Sequence, residues 1–358
     1  MKKKKLRLKK KYRLLFNRII LIIFIIILLL FLKLLFKKEP KEDKLVINTD
    51  TIYLTINEEY TLNPNKEVSY NVDNKEVINI NNNVVKGLST GNANINVTYK
   101  QENIIIKVVV TDLYTLPEIN NDKPYLTCNL YTSTEESILD NALKFKIKNA
   151  GYKTRSAVVA SARFLTLQFK NRISYFYENG RLNNYGTQDY ADGEGRYYHE
   201  GLYLTENKFK TIKASVNGPS PWGCPLYVDL FKREEKNGLD CSGFVSWALL
   251  NGGFDIGDVG AGIDEERTDD LDDLGTKMKV DIDNFDESKI KVGDLFSRYG
   301  HIGILIGKEN NTYYIAEALD YDLHVLTMTK EEILESEWLY IILMDSLYKE
   351  DGNLKEMW

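Results

Sequence analysis

GLDCSGFVSWALLNGG, from Gly238 to Gly253, and VGDLFSRYGHIGILIG, from Val292 to Gly307, decide how the chain is read. In the first stretch Phe244, Trp247, Ala248 and Leu250 have the spacing of a helix with one buried stripe, and Gly252 and Gly253 supply a stop. Cys241 then falls at or just before the first helical turn, where unpaired backbone N–H groups and the helix dipole favour an anion by about 0.3–1 kcal/mol, at most about 2. An ordinary thiol is only a few per cent thiolate at neutral pH, so this position, with a neighbouring imidazole, predicts a competent nucleophile. A buried structural cysteine is the alternative. The second stretch predicts a turn at Gly293 and Asp294, then His301 at the head of an apolar strand, Ile302 to Ile306, closed by Gly307. TYYIAEA, Thr312 to Ala318, predicts the next strand, with Glu317 on it. Adjacent strands let Glu317 fix the tautomer of His301 while the other ring nitrogen faces Cys241.

Upstream, Ser133 and Glu136 form a plausible capping box before Ile138, Leu139, Ala142 and Leu143 at helical spacing. A second helix is expected from Arg155 to about Phe169. Asp240 and Ser242 flank the nucleophile, either as helix caps or as contacts to a substrate amine. The stretch from Tyr185 to Trp222 reads as an insertion around a cleft, with Trp222 at its rim. His199 and His324 have no evident partner and read as surface or structural residues. Asp264 to Asp273 holds seven acids in ten residues but lacks EF-hand spacing, so a solvated loop is expected. Cys128 and Cys224 could pair, leaving Cys241 free.

These two motifs resemble those of the NlpC/P60 family of cell-wall cysteine peptidases, over roughly residues 151–346, with DCSGFV (Asp240 to Val245) and GDL…GHIGILIG (Gly293 to Gly307) as anchors. The resemblance implies a papain-like α+β domain in circularly permuted order that hydrolyses peptide bonds in peptidoglycan stems, typically next to D-glutamate. It carries over Cys241 as nucleophile, His301 as general base and then acid, and Glu317 as the third polar residue, where the family more often has His, Asn or Gln. It also gives Tyr175, in ISYFYENG, a role in binding substrate or oxyanion, although Asn179 replaces a family glycine; a core aromatic is the other reading. No metal or organic cofactor is implied. The alternatives are a wall amidase of the same fold and a non-catalytic wall-binding or scaffold protein.

Residues 45–112 have a different character. Ala93, Ile95, Val97 and Tyr99 alternate with Asn94, Asn96 and Thr98, Val68, Tyr70 and Val72 repeat the pattern, and Ile104 to Val110 is another β-forming run. Short strands broken by Asn, Asp and Gly predict a small antiparallel sandwich. The stretch resembles bacterial Ig-like domains of the second group, with Tyr70 where that family usually has Trp, which implies a spacer or adhesion module. Gly87, Ser89 and Gly91 satisfy the G-x-S-x-G pattern of a nucleophile elbow, but a strand rather than a helix is expected to follow, so a turn is the reading.

Residues 19–36, IILIIFIIILLLFLKLLF, hold 17 apolar residues and one Lys. As a helix they would span about 27 Å, and no small-residue cleavage site follows, so an uncleaved transmembrane helix is expected. Ten basic residues precede it within the first 18, which predicts a cytoplasmic N-terminus, a single-pass membrane protein of a bacterial cell and an extracellular catalytic domain. Those ten with Lys33, Lys37 and Lys38 carry 13 positive charges and no acid intervenes, so the net −5 of the chain leaves −18 on residues 39–358. An acidic body excludes a general nucleic-acid binder. Three cysteines without a CxxC pair, and three histidines without HExxH spacing, argue against a zinc hydrolase.

The expected architecture is therefore multidomain: a basic tail (1–18), a single transmembrane helix (19–36), a linker (37–44), an all-β Ig-like sandwich (45–112), a connector with a helix (113–150), an α+β papain-like domain (151–346) and a tail (347–358).

Overall fold

The computed structural model describes residues 12, 16–18, 20–26, 28, 44–176, 200–202, 222–228, 234–236, 238–257, 259–261, 271 and 273–354. Alternation drives the first folded unit. Strands β1 (Thr51–Thr55), β7 (Glu102–Thr111), β6 (Gly91–Tyr99) and β3 (Ser69–Val72) make one sheet in that order, and β2 (Glu59–Thr61), β5 (Val84–Gly87) and β4 (Ile78–Asn81) make a second. β1 runs parallel to β7, and the other pairs are antiparallel. Along β6 the apolar residues Ala93, Ile95 and Val97 are buried in one core with Ile106 and Val108 of β7 and Ile52 and Leu54 of β1. Ser89 lies in the turn that leads into β6, where its hydroxyl donates to the Glu76 carbonyl at 2.8 Å, so no nucleophile elbow forms.

The second unit begins with α1 (Ser133–Ala150), which Thr132 and Glu135 cap reciprocally, one residue earlier than the sequence pairing of Ser133 with Glu136. Helix α2 (Arg155–Arg163) gives way to a π-helical turn over Phe164–Gln168, so the predicted single helix to Phe169 changes its winding midway. Helix α3 (Cys241–Gly252) ends on Gly253 at φ 102°, a left-handed cap. A Cβ on Gly252 would lie 2.4 Å from a Val158 methyl, so this glycine sets the close approach of α2 and α3.

An antiparallel six-stranded sheet lies beneath, in the order β10 (Thr276–Lys279), β15 (Tyr340–Leu343), β11 (Leu295–Arg298), β12 (His301–Glu309), β13 (Thr312–Leu319) and β14 (Asp322–Thr329). The short strands β8 (Pro225–Val228) and β9 (Glu234–Lys236) pair with each other, and α4 (Lys330–Glu335) follows β14. Ile302, Ile304 and Ile306 of β12 join a core with Phe244, Val245, Trp247 and Ala248 of α3. Each such fully buried side chain contributes about 1.5–3 kcal/mol, which fixes α3, and Cys241 at its head, against the sheet. Leu305, Tyr313 and Ile315 belong to a separate core with Phe285, Phe296, Ile333, Trp338 and Ile341. Side chains of strands alternate faces, so this second core covers the opposite face of the sheet.

The two units touch. Phe145 of α1 lies in the sandwich core, with ring centroids 6.2 Å from Tyr53 and 5.1 Å from Tyr60, and Lys146 beside it pairs with Glu58.

The membrane expectation is corrected. Among the described residues no helix is long and apolar enough to cross a membrane. This overturns the single transmembrane helix over 19–36, and with it the single-pass membrane localisation with a cytoplasmic N-terminus. A span needs about 20 consecutive helical residues. Part of the predicted segment lies outside the described residues.

Candidate active site

Cys241 is the first residue of α3, and Asp240 is its N-cap, its carboxylate accepting from the Gly243 N–H at 2.8 Å. The Ser242 hydroxyl donates to the same carboxylate at 3.4 Å, so Asp240 caps the helix and Ser242 steadies the cap. The backbone enters this turn beside residues 174–176. Leu239 donates to the Ser174 carbonyl and accepts from the Phe176 N–H, each at 3.2 Å. A Cβ on Gly238 would lie 1.9 Å from the Ser174 oxygen, so only glycine permits that approach.

The Cys241 thiol donates to the Gly300 carbonyl at 3.9 Å, and the Ile302 N–H hydrogen-bonds the sulfur. The paired register of β12 with β13 begins only at Gly303 opposite Glu317, so strand pairing leaves Ile302 open to the sulfur on that side. The sulfur is thus bracketed by the two backbone neighbours of His301. Burial pushes the thiol up to about 12, and the Asp240 carboxylate adds to this, against the N–H groups of Ile302, Ser242 and Cys241. The dipole advantage of about 2 kcal/mol at most is smaller than this opposition. The resting residue is therefore a neutral thiol, not the activated thiolate that its position at a helix start predicts.

His301 opens β12 and is 4% exposed. Its Nε2 lies 2.8 Å from Oε2 of Glu317, which is 3% exposed. An ionised carboxylate only accepts, so this contact places the ring proton on Nε2 and leaves Nδ1 as the basic nitrogen. Trp338 stacks on the imidazole with centroids 5.4 Å apart and planes 27° from parallel. Period-2 alternation puts His301 and Gly303 on one face, and Glu317 is opposite Gly303 in register. A Cβ at Gly303 would stand 3.4 Å from the Glu317 Cβ and 2.9 Å from an Ile315 methyl, so the glycine leaves the room in which the pair meets.

The second histidine on this carboxylate is one that sequence reasoning missed. His324 Nε2 lies 3.2 Å from Glu317 Oε1, and its Nδ1 lies 3.1 Å from Asp322 Oδ1. Asp322 Oδ2 in turn accepts from Arg172 at 2.7 Å and from the Tyr125 hydroxyl at 3.0 Å. Burial by itself would raise Glu317, but the hydrogen bonds and charges of His301 and His324 draw it down to about 2. The hydrogen bond to Glu317 raises His324 above its usual range, against burial, and Asp322 adds to the rise. The signal for this pairing was in the sequence. A two-residue turn at Asp320 and Tyr321 pairs residues 319 and 322, hence 317 and 324.

Tyr175 is half-buried beside the helical core, and its N–H donates to the Tyr321 carbonyl at 2.8 Å while its strand bridges Leu239. Its backbone therefore sits two residues from the nucleophile. Trp222 is not at a rim. It is 3% exposed and packs on Trp247 with centroids 6.1 Å apart. Cys128 and Cys224 form a disulfide, and Cys241 is free. His199, Asn179, most of the 185–222 insertion and most of the acidic 264–273 stretch lie outside the described residues. Among the described residues no group of three or more His, Cys, Asp or Glu side chains is placed to hold a metal ion.

The described residues supply a thiol at a helix start beside backbone N–H groups and, one residue along β12 from the Ile302 N–H that meets the sulfur, an imidazole held by a carboxylate; these are components that acyl transfer uses. No protein-family model matches the chain, and no curated protein matches it either.

Proposed function

We propose that the chain is a cysteine endopeptidase of the NlpC/P60 type that hydrolyses peptide bonds in peptidoglycan stems. The observation that supports this reading is that Cys241, at a helix start, has its sulfur against the Gly300 carbonyl and the Ile302 N–H, the two backbone neighbours of His301, which Glu317 holds. In this reading His301 Nδ1 takes the thiol proton as the sulfur adds to the scissile carbonyl, and the oxyanion faces the N–H groups at the start of α3. The C–N bond then breaks, His301 returns the proton to the departing amine, and a thioester remains on Cys241. Water, deprotonated by the same nitrogen, attacks the thioester and releases the carboxylate product and the thiol.

A neutral resting thiol makes His301 an obligatory base rather than the partner of a preformed thiolate. The Cys128–Cys224 disulfide, which suits oxidising surroundings, is in keeping with this class of substrate. The sandwich, through Phe145 and Lys146, would hold the peptidase unit as a spacer or adhesion module.

A stem dipeptide ending in D-glutamate and carrying an electrophilic carbon tests the reading. It is expected to label Cys241 with saturation kinetics, and not at all in His301→Ala. Labelling no faster than by a plain alkylating agent would count against it.

A further inference from the structure

We propose that His324 is the cationic partner of Glu317, a positioning residue that sets the proton affinity of His301 from two strands away. This deepens the peptidase reading and rests on it only for the rate measurement below.

The argument is one of donors and acceptors. Both ring nitrogens of His324 face carboxylate oxygens, Nε2 that of Glu317 at 3.2 Å and Nδ1 that of Asp322 at 3.1 Å. Ionised carboxylates have no proton to give. Glu317 is ionised between two imidazoles, and Asp322 is ionised because Arg172 donates to it at 2.7 Å. Both nitrogens of His324 must therefore carry protons, which makes it an imidazolium. Charges then alternate along the row, from anionic Glu317 through cationic His324 and anionic Asp322 to cationic Arg172.

That alternation has a chemical consequence. Glu317 alone would favour protonated His301 and so remove the base that a neutral thiol requires. A cation on the other oxygen of the same carboxylate offsets this pull while leaving the hydrogen bond that orients the ring. The Cys241 sulfur meets the backbone on either side of His301, at Gly300 and Ile302, and Trp338 stacks on the imidazole. The Arg298 guanidinium lies 5.9 Å from the centroid of the Trp338 ring and is itself paired with Glu337, and Tyr125 donates to Asp322, the partner of His324.

The chain has three histidines, so their ring signals can be assigned in the full-length protein with single variants and titrated by NMR. His324 is expected to stay protonated through pH 7. In His324→Gln, which keeps a donor to Glu317 but no charge, the His301 midpoint is expected to rise by about one pH unit or more. Asp322→Asn retains His324 and removes one acceptor, so the His324 midpoint should fall and the His301 midpoint should rise. This second variant decides the matter if His324→Gln does not fold. The acid limb of kcat/KM on wall peptides should move to higher pH in step with His301.

A His324 midpoint at or below that of free histidine, or a His301 midpoint unmoved in the folded variants, overturns the proposal. Midpoints that move in a protein that cleaves no wall peptide would uphold the coupling and defeat the peptidase reading; cleavage with unmoved midpoints would do the reverse.

Discussion

Replacing Glu317 by Gln keeps the shape of the side chain and removes one charge from the centre of the site. In the folded protein burial opposes ionisation of this carboxyl, yet His301 and His324 hold it near about 2, against an ordinary 4.5. That gap corresponds to about 3 kcal/mol. The side chain is only 4% exposed, so solvent screening reduces the figure little. The group is depressed on folding, so its contribution is fully present above pH 4.5 and is lost as pH falls towards 2. Urea denaturation at a series of pH values should therefore find Glu317→Gln about 3 kcal/mol less stable at pH 7. The variant should also lack the part of the acid-side decline that wild type shows between pH 4.5 and 2. Activity should fall further than stability, because the amide no longer fixes the His301 tautomer; loss of the orienting carboxylate in a serine peptidase triad costs about 10⁴ in kcat. A variant within about 0.5 kcal/mol of wild type, with the same acid slope and full activity, would refute the reasoning.

Other substitutions separate the capping, packing and cross-linking contributions. Asp240→Asn should preserve the helix cap to within about 0.5 kcal/mol while removing the carboxylate that helps raise the thiol, so alkylation of Cys241 near pH 8 should quicken. Gly238→Ala should cost about 3 kcal/mol in chemical denaturation and abolish hydrolysis, because the new Cβ forces residues 174–176 away from the approach to Cys241. Paired Cys128→Ser and Cys224→Ser substitution should lower stability by about 2–5 kcal/mol, since the bond closes a loop of 96 residues, and reduction of the wild type should reproduce the loss.

The legible parts of this chain are those where a local rule and the tertiary structure agree. Period-2 alternation at Ala93 to Tyr99 marks a strand because one face of β6 is buried; the spacing of Phe244, Trp247 and Ala248 marks a helix, but α3 is buried on every side rather than along one stripe, and Leu250 is its one residue that is not fully buried. Glu317 lies opposite Gly303 in register, on the face of His301, so the parity of two adjacent strands brings the pair together. His324 was equally available through the register of the β13–β14 hairpin, but a lone histidine carries no signal until the turn is located. The protonation state of Cys241 was not legible. Sequence locates the helix terminus that favours a thiolate, but not the burial and the Asp240 charge that outweigh it. Trp222 was misplaced for a similar reason, since its partner Trp247 lies 25 residues away, across a strand pair that composition does not announce. The apolar run at 19–36 satisfies the length rule for a span, whereas among the described residues no helix is long and apolar enough to cross a membrane.

The central claim is that Cys241 attacks stem peptides with His301 as its base. Mass spectrometry of fragments released from purified peptidoglycan by the full-length protein, beside Cys241→Ala and His301→Ala, tests it most directly. The account predicts new stem-peptide fragments with wild type and none with either variant. Fragments that persist in Cys241→Ala, or none from wild type on walls of several stem compositions, would contradict it.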